Sequence, residues 1–294
     1  RKDIKNRESR KAARVKIDGK VDGAHSLNES EDDRFEGLQK DVKRLIRASL
    51  KSKALSFSKK SYLCLPNFII IGAAKSATTT LSALLQQHPD VFMSKPKEPK
   101  FFGRNYNKGW IWYASRFAAG QNMLLRGEGS TMYTSLLATY RFTPALMYQY
   151  LPDLKLVYIV RDPLDRIVSQ WRHHRGRNPG CADFAELMQD RDLRRRIVGC
   201  SMYYKQLSRF RAFYPDSQIH CMTFEDLLSS PRQVLKGMLK FLGAKPRLKR
   251  MLGSQGCLPR ENEAGAKGRG HVKKPVWTPG LRAKVLRQVR PDAK

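Results

Sequence analysis

No apolar run reaches the roughly 18 residues that a membrane-spanning helix needs, so no stretch of this 294-residue chain reads as a transmembrane helix. Carboxylates are scarce: 26 Asp and Glu stand against 57 Lys and Arg, a formal net charge of +31. An excess of that size draws polyanions, whether a nucleotide with several negative groups, a sulfated or uronate-bearing glycan, a membrane surface or nucleic acid. Cysteine is sparse too. The five, Cys64, Cys181, Cys200, Cys221 and Cys257, leave at least one unpaired in any monomeric disulfide scheme, and their spacing fits neither a zinc site nor a dense disulfide framework, which leaves the redox compartment open. Metal-ligand spacing is missing as well. His173 and His174 are adjacent on an expected helix and point apart, and His88 reads as the end of the first core helix. The positive charge is scattered and comes without helix-turn-helix, zinc-finger or aromatic RNA-binding signatures, so no specific nucleic-acid partner is expected. A basic protein that binds nucleic acid by charge alone remains the alternative. No internal repeat is evident.

What is present is enough apolar material, 41% of residues, to bury one substantial core behind a polar leading segment. Residues 1–32 are charged, poor in aromatics and unpatterned, which reads as disordered or stem-like. Between Arg34 and about Leu50, Phe35, Leu38, Val42, Leu45 and Ile46 recur at helical spacing among basic residues. That pattern gives an amphipathic helix, docked on the core or lying at a membrane. The chain thus divides into a basic, partly disordered stem over 1–64 and a folded domain over 65–294. The expected order in the domain is strand 68–72, helix 78–87, a loop region with Trp110 and Trp112, strand 124–128, helix 138–150, strand 155–160, helix 164–175, helix 199–214, strand 218–223, helix 231–242 and a final helix near 281–289. Such alternation predicts an α/β three-layer sandwich with a central parallel sheet.

Two segments carry the chemistry. In the first, the apolar run Phe68-Ile69-Ile70-Ile71 ends abruptly in Gly72-Ala73-Ala74-Lys75-Ser76-Ala77-Thr78-Thr79-Thr80-Leu81. A buried strand there delivers the chain to a tight turn of small residues, whose backbone N–H groups can approach an anion. A helix then opens at Thr78 with its positive dipole end facing the same point, and Lys75 adds a full charge. The nucleoside-triphosphatase loop is not matched, because the lysine follows Gly72 by three residues with no second glycine before it. In the second segment, Lys155 to Val160 runs as a strand into Arg161-Asp162-Pro163, and a helix carries Ser169 two turns in. Arginine and hydroxyl can then converge on one phosphate from a strand end and a helix face. Taken singly, each segment also suits ordinary structure, a Thr-rich helix start or a surface Arg-Asp cap.

Together and in this order they resemble sulfotransferases that use 3′-phosphoadenosine 5′-phosphosulfate, in particular the carbohydrate and heparan-sulfate type. The first segment looks like that family's P-loop-like 5′-phosphosulfate loop, G-x-x-K-[ST]-[GA]-T-[TS]-x-L, and the second like its R-D-P-x-x-R-x-x-S element for the 3′-phosphate. The resemblance covers roughly residues 66–285. It implies that Lys75, Ser76, Ala77, Thr78, Thr79 and Thr80 hold the 5′ side of the nucleotide, and that Arg161 and Ser169 hold the other end. Lys95-Pro96-Lys97-Glu98-Pro99-Lys100-Phe101-Phe102 resembles K-E-P-x-F-F, which makes Glu98 the catalytic base, with Lys75 beside it in catalysis and Lys97 at the acceptor. Flanking lysines depress a carboxyl pKa and desolvation by the phenylalanines raises it; the residues leave the balance open. Gly127-Glu128-Gly129-Ser130-Thr131-Met132-Tyr133 resembles E-K-[ST]-P-x-Y, with Gly129 where a lysine is common and no proline, and places Glu128 either at the acceptor or in a cap. Lys267-Gly268-Arg269 resembles a K-G-R loop that closes over the nucleotide. In heparan-sulfate enzymes a disulfide commonly braces the segment before that loop, and here only Cys257 lies there.

The resemblance therefore implies a nucleotide sulfate donor as co-substrate, no metal, and a hydroxyl or amine acceptor, carbohydrate in the first reading and a lipid or small alcohol in the second. Membrane association enters only through an N-terminal anchor missing from the sequence. The first residue is Arg, and Asn28-Glu29-Ser30 is a glycosylation sequon in a stem-like segment. A Golgi enzyme lacking its anchor and a cytoplasmic enzyme with a basic tail both fit.

Overall fold

Phe-Ile-Ile-Ile-Gly opens the core as β1 (Phe68–Gly72), with all five residues buried. A strand without polar positions has to be covered on both faces. Four more strands complete the sheet in the computed structural model, which describes residues 64–253, 258 and 272–293. These are β2 (Val91–Met93), β3 (Leu125–Glu128), β4 (Lys155–Val160) and β5 (Ile219–Thr223). The order across the sheet is β2-β3-β1-β4-β5 and every pairing is parallel. The fold is thus α/β with a central parallel sheet. The expected stem, residues 1–64 with its helix over 34–50, lies outside the described residues except for Cys64, as do Lys267, Gly268, Arg269 and Cys257.

Eleven α-helices connect the strands among the described residues: α1 (Thr78–Gln86), α2 (Gly109–Ala114), α3 (Thr143–Tyr150), α4 (Pro163–Arg175), α5 (Phe184–Gln189), α6 (Arg191–Gly199), α7 (Tyr203–Arg211), α8 (Phe224–Ser229), α9 (Pro231–Leu242), α10 (Leu248–Leu252) and α11 (Pro279–Val289). Because strand side chains alternate, β1 feeds two cores. Phe68 and Ile70 pack with Leu81, Leu84 and Leu85 of α1 and with Leu235, Met238 and Leu239 of α9. Ile69 and Ile71 face an aromatic layer of Phe101, Phe102, Trp110, Tyr113, Tyr133 and Phe210. A third cluster joins α4, α5, α6 and α11 through Trp171, Phe184, Ile197 and Val285. Gly127 permits the close approach of β3 to β1, since a Cβ there would lie 2.1 Å from the Phe68 ring. No helix among the described residues is long and apolar enough to cross a membrane.

Two expected helices differ in extent. The helix expected over 199–214 is α7 alone (Tyr203–Arg211), and residues 200–202 separate it from α6 (Arg191–Gly199), with side chains satisfying both ends of the gap. Arg166 Nη2 donates to the Ile197 carbonyl (2.5 Å) and Gln206 Nε2 to that of Gly199 (2.7 Å), which occupies acceptors that a continuing helix would use. At the start of α7, the Asp292 carboxylate accepts from the Tyr204 and Lys205 amides (3.0 and 2.8 Å). Residues 138–150 form a short 3-10 turn (Ala138–Tyr140) and then α3, whose Pro144 sits in the first turn where a missing N–H costs nothing. Trp110, expected in a loop, is in α2 and only 3% exposed, part of the aromatic core. His88 is buried and structural: Nδ1 accepts from the Asp90 amide (3.2 Å), so Nε2 carries the proton it shares with the Lys245 carbonyl (2.8 Å).

Candidate active site at the carboxyl ends of three neighbouring strands

In parallel sheets, ligands collect outside the carboxyl ends of the strands. Here β3, β1 and β4 are adjacent, and their ends deliver Glu128, the Lys75 turn and Arg161 to one edge. The Ala73 amide donates to the Ile159 carbonyl (2.7 Å), which ties the turn after β1 to the end of β4. Lys75 and Ala77 are both left-handed, with φ of 72° and 63°. For residues bearing a Cβ this costs about 1–2 kcal/mol each, so the turn is held by its surroundings rather than by preference. Ser76 between them is fully buried. Gly72 lets the turn start against the sheet, since a Cβ there would meet Thr134 Oγ1 at 2.5 Å.

The nine-residue α1 begins at Thr78 with no side-chain cap from Ala77 and no acidic residue in its first turn. Its leading amides lie at the positive end of the helix dipole, a setting made for an anion. Thr78 is buried, Thr79 and Thr80 are half-buried, and Thr79 Oγ1 accepts from Lys97 Nζ (3.2 Å).

Arg161 follows β4 directly. Its guanidinium lies over the Phe224 ring (4.5 Å) and its carbonyl accepts from Tyr203 Oη (2.7 Å). The buried Arg161 Nε has no hydrogen-bond partner among the described residues. An unmatched buried donor of this kind costs about 1–3 kcal/mol, which an anion at this point would recover. Ser169 is half-buried two turns along α4, whose N-terminus is capped by Asp162 Oδ1 accepting from the Asp165 amide (2.9 Å). Arg166, the second arginine of the same segment, turns the other way. It is fully buried and bonds Ser201, Gln170 and the Ile197 carbonyl, so it braces α6.

Glu98 lies between two ammonium groups, Lys97 Nζ at 3.3 Å and Lys100 Nζ at 3.2 Å, and also accepts from Thr131 Oγ1 (3.4 Å). Its side chain keeps 29% of its surface exposed, enough for an acceptor to reach. Burial lowers the Lys97 pKa, and the charge of Glu98 opposes that shift. The loop is bound to the end of β3, where the Lys100 amide donates to Ser130 Oγ (2.9 Å) and the Gly129 amide to the Lys97 carbonyl (3.3 Å). Phe101 and Phe102, expected to desolvate Glu98, are fully buried in the aromatic layer.

Glu128 has no exposed surface. It accepts from Tyr113 Oη (2.7 Å), Tyr133 Oη (2.9 Å) and Ser130 Oγ (2.5 Å), and thus sits beneath the Glu98 loop as its support. Of its two expected roles, contact with an acceptor does not match this placement. Thr131, Tyr203 and Phe224 enter the site without having been singled out for it; only their positions just beyond strand or helix ends hint at it.

Burial raises the Glu128 pKa to about 7, against the lowering effect of its three hydroxyl donors, with the nearby Glu98 charge adding to the rise. The folded state therefore holds a proton that the unfolded chain releases above its ordinary value of 4.5. This group's stabilising contribution is complete below pH 4.5 and is lost as pH rises to about 7. In urea titrations, Glu128→Gln should gain on the parental protein across that window, by up to about 3 kcal/mol. A difference between the two that does not change with pH would refute this account.

Residues 65–253 match the family model of the sulfotransferase domain. The chain is 30% identical over 250 residues to mouse heparan sulfate glucosamine 3-O-sulfotransferase 3B1, covering 77% of this chain and 60% of that protein. It is 29% identical over 202 residues to mouse bifunctional heparan sulfate N-deacetylase/N-sulfotransferase 4, covering 62% of this chain and 23% of that protein. It thus spans less than two thirds of the length of either relative. Among solved structures, a sulfotransferase from Alicyclobacillus acidocaldarius superposes with a TM-score of 0.60 at 24% identity, over 77% of this chain and 92% of that one.

Proposed function

Because the chain belongs to the sulfotransferase domain family, we propose that it transfers a sulfuryl group from 3′-phosphoadenosine 5′-phosphosulfate to a hydroxyl or amine of a glycosaminoglycan-like carbohydrate. The observation that carries this reading is the pairing of β1 with β4, which sets the Lys75 turn beside the unmatched donor of Arg161. A ligand with anionic groups at both ends, such as an adenosine bisphosphate, suits that pair of strand tips. When bound, the donor supplies an activated sulfuryl group. Lys75 and the leading amides and hydroxyls of residues 76–80 would neutralise and orient its 5′ side, while Arg161 and Ser169 would hold the 3′-phosphate. In the loop Lys267-Gly268-Arg269, Lys267 and Arg269 would add cations over the nucleotide. Glu98 would accept the proton of the acceptor group. Catalysis then rests on alignment and fixed positive charge, supplied by lysine and helix amides.

For the acceptor, the support is electrostatic. Residues 231–253 contain no Asp or Glu and display seven exposed cations, Arg232, Lys236, Lys240, Lys245, Arg247, Lys249 and Arg250. Arg232, Lys236 and Lys240 recur every four residues and so share one stripe of α9. A surface of this kind favours a long polyanion over a neutral alcohol. The names of the two mouse relatives point to the same chemical class.

The test combines calorimetry with adenosine 3′,5′-bisphosphate and transfer of labelled sulfate to heparan-type chains, small alcohols and lipids at two ionic strengths. Nucleotide affinity that survives salt, with label on the glycan and an acceptor KM that rises with salt, is expected. Label only on small alcohols or lipids would overturn the acceptor. No nucleotide affinity, together with DNA binding that falls steeply with salt, would overturn the enzyme reading altogether.

A further inference from the structure

Three segments distant in sequence meet at one residue. Lys97 Nζ donates to Thr79 Oγ1 on the first turn of α1 (3.2 Å) and to Glu98 Oε1 (3.3 Å), and its carbonyl accepts from the Gly129 amide (3.3 Å). The Lys97 stem passes close to residue 129, where a Cβ would lie 3.7 Å from its Cε and 3.0 Å from Ser82 Oγ. Lys100, the other ammonium on Glu98, approaches the opposite oxygen, Oε2. Lys97 thus links Glu98 to the first turn of α1, the element on which the donor's anionic end would rest.

We propose that Lys97 is a positioning residue that couples the base to the donor-binding turn, through an ammonium group spanning Thr79 and Glu98 in the space that Gly129 leaves open. This rests on the reading of Glu98 as the base. The bridge does two things. It holds the Glu98 carboxylate at a fixed distance from α1, so that the proton-accepting oxygen and the turn that binds the donor move together. It also makes the charge responsive, because the Lys97–Glu98 ion pair ends once Glu98 takes up a proton.

The proposal separates Lys97 from an ordinary phosphate-binding lysine, and the experiment uses that difference. Lys97→Ala should lower kcat by about 10²-fold while adenosine 3′,5′-bisphosphate affinity, read by calorimetry, stays within about threefold. Because Lys97 acts through Glu98, the loss should be non-additive: Lys97→Ala/Glu98→Gln should be no slower than Glu98→Gln alone. Lys97→Ala also vacates the space beside residue 129, so Lys97→Ala/Gly129→Lys should recover about tenfold or more of the lost kcat. Lys97→Ala with parental turnover, an equal loss of nucleotide affinity, or full additivity with Glu98→Gln would each overturn the proposal. A parental protein that binds no adenosine bisphosphate would instead remove the sulfotransferase reading on which it stands. If Lys97→Ala proves unstable, Lys97→Met keeps the stem's volume and decides the same three comparisons.

Discussion

Glu98→Gln is expected to slow sulfuryl transfer by about 10²–10⁴-fold while nucleotide affinity holds within about threefold. The substitution removes proton-accepting capacity and leaves the shape of the side chain nearly intact. It also removes a negative charge from between Lys97 and Lys100, whose ammonium groups lie 3.3 and 3.2 Å away. The site becomes more positive, so the binding of an anionic nucleotide should stay equal or tighten while turnover collapses. That opposition is the signature of a base, because general loss of structure would weaken both. Single-turnover transfer from labelled donor gives the chemical step, and calorimetry with adenosine 3′,5′-bisphosphate gives the affinity. If Glu98→Gln transferred label at the parental rate, another group would have to take the acceptor's proton. Thr131 contacts Glu98 at 3.4 Å but has no basic form at neutral pH, and Glu128 is sealed under three hydroxyls. An unchanged rate would thus leave neither of these neighbours as the base.

The parts of this site legible in the sequence are those fixed by local chemistry. Phe68-Ile69-Ile70-Ile71 can only be a strand buried on both faces, and the small residues after it can only be a tight turn, so the β1 to α1 segment was predictable to within a residue or two. The strand at Lys155–Val160 and the Pro-started α4 were equally plain. What the sequence hid are decisions made by distant side chains. The break between α6 and α7 depends on Arg166 and on Asp292, which lies 88 residues beyond Tyr204. Arg166 belongs to a phosphate-binding pattern by spacing, yet its direction follows from the buried Ile197 carbonyl and Ser201 that it satisfies. Glu128 shows the same limit: a glutamate at a strand end reads as exposed until Tyr113 and Tyr133, from an aromatic layer without helical or strand period, close over it.

Arg161→Ala should weaken adenosine 3′,5′-bisphosphate by about 2–3 kcal/mol, roughly 30–150-fold, and leave adenosine 5′-phosphate nearly unaffected. The guanidinium is held in place before any ligand arrives, by the Phe224 ring at 4.5 Å beneath it and by Tyr203 on its carbonyl, while its buried Nε has no hydrogen-bond partner among the described residues. Little ordering entropy then remains to be lost on binding, so most of a charge-assisted hydrogen bond should register as affinity. Lys75→Ala, on the neighbouring strand tip, should weaken both nucleotides by similar factors, because both carry the 5′ group. The two ligands and two variants form a cycle in which only the pairing of Arg161 with the 3′-phosphate is selective. Equal losses for both nucleotides in Arg161→Ala would mean that the arginine acts on the whole pocket, and the assignment of the two strand tips to opposite ends of one nucleotide would fail. A selective loss would fix the nucleotide's direction across β1 and β4, its sulfuryl end on the side of β3, where the Glu98 loop is anchored through Gly129 and Ser130.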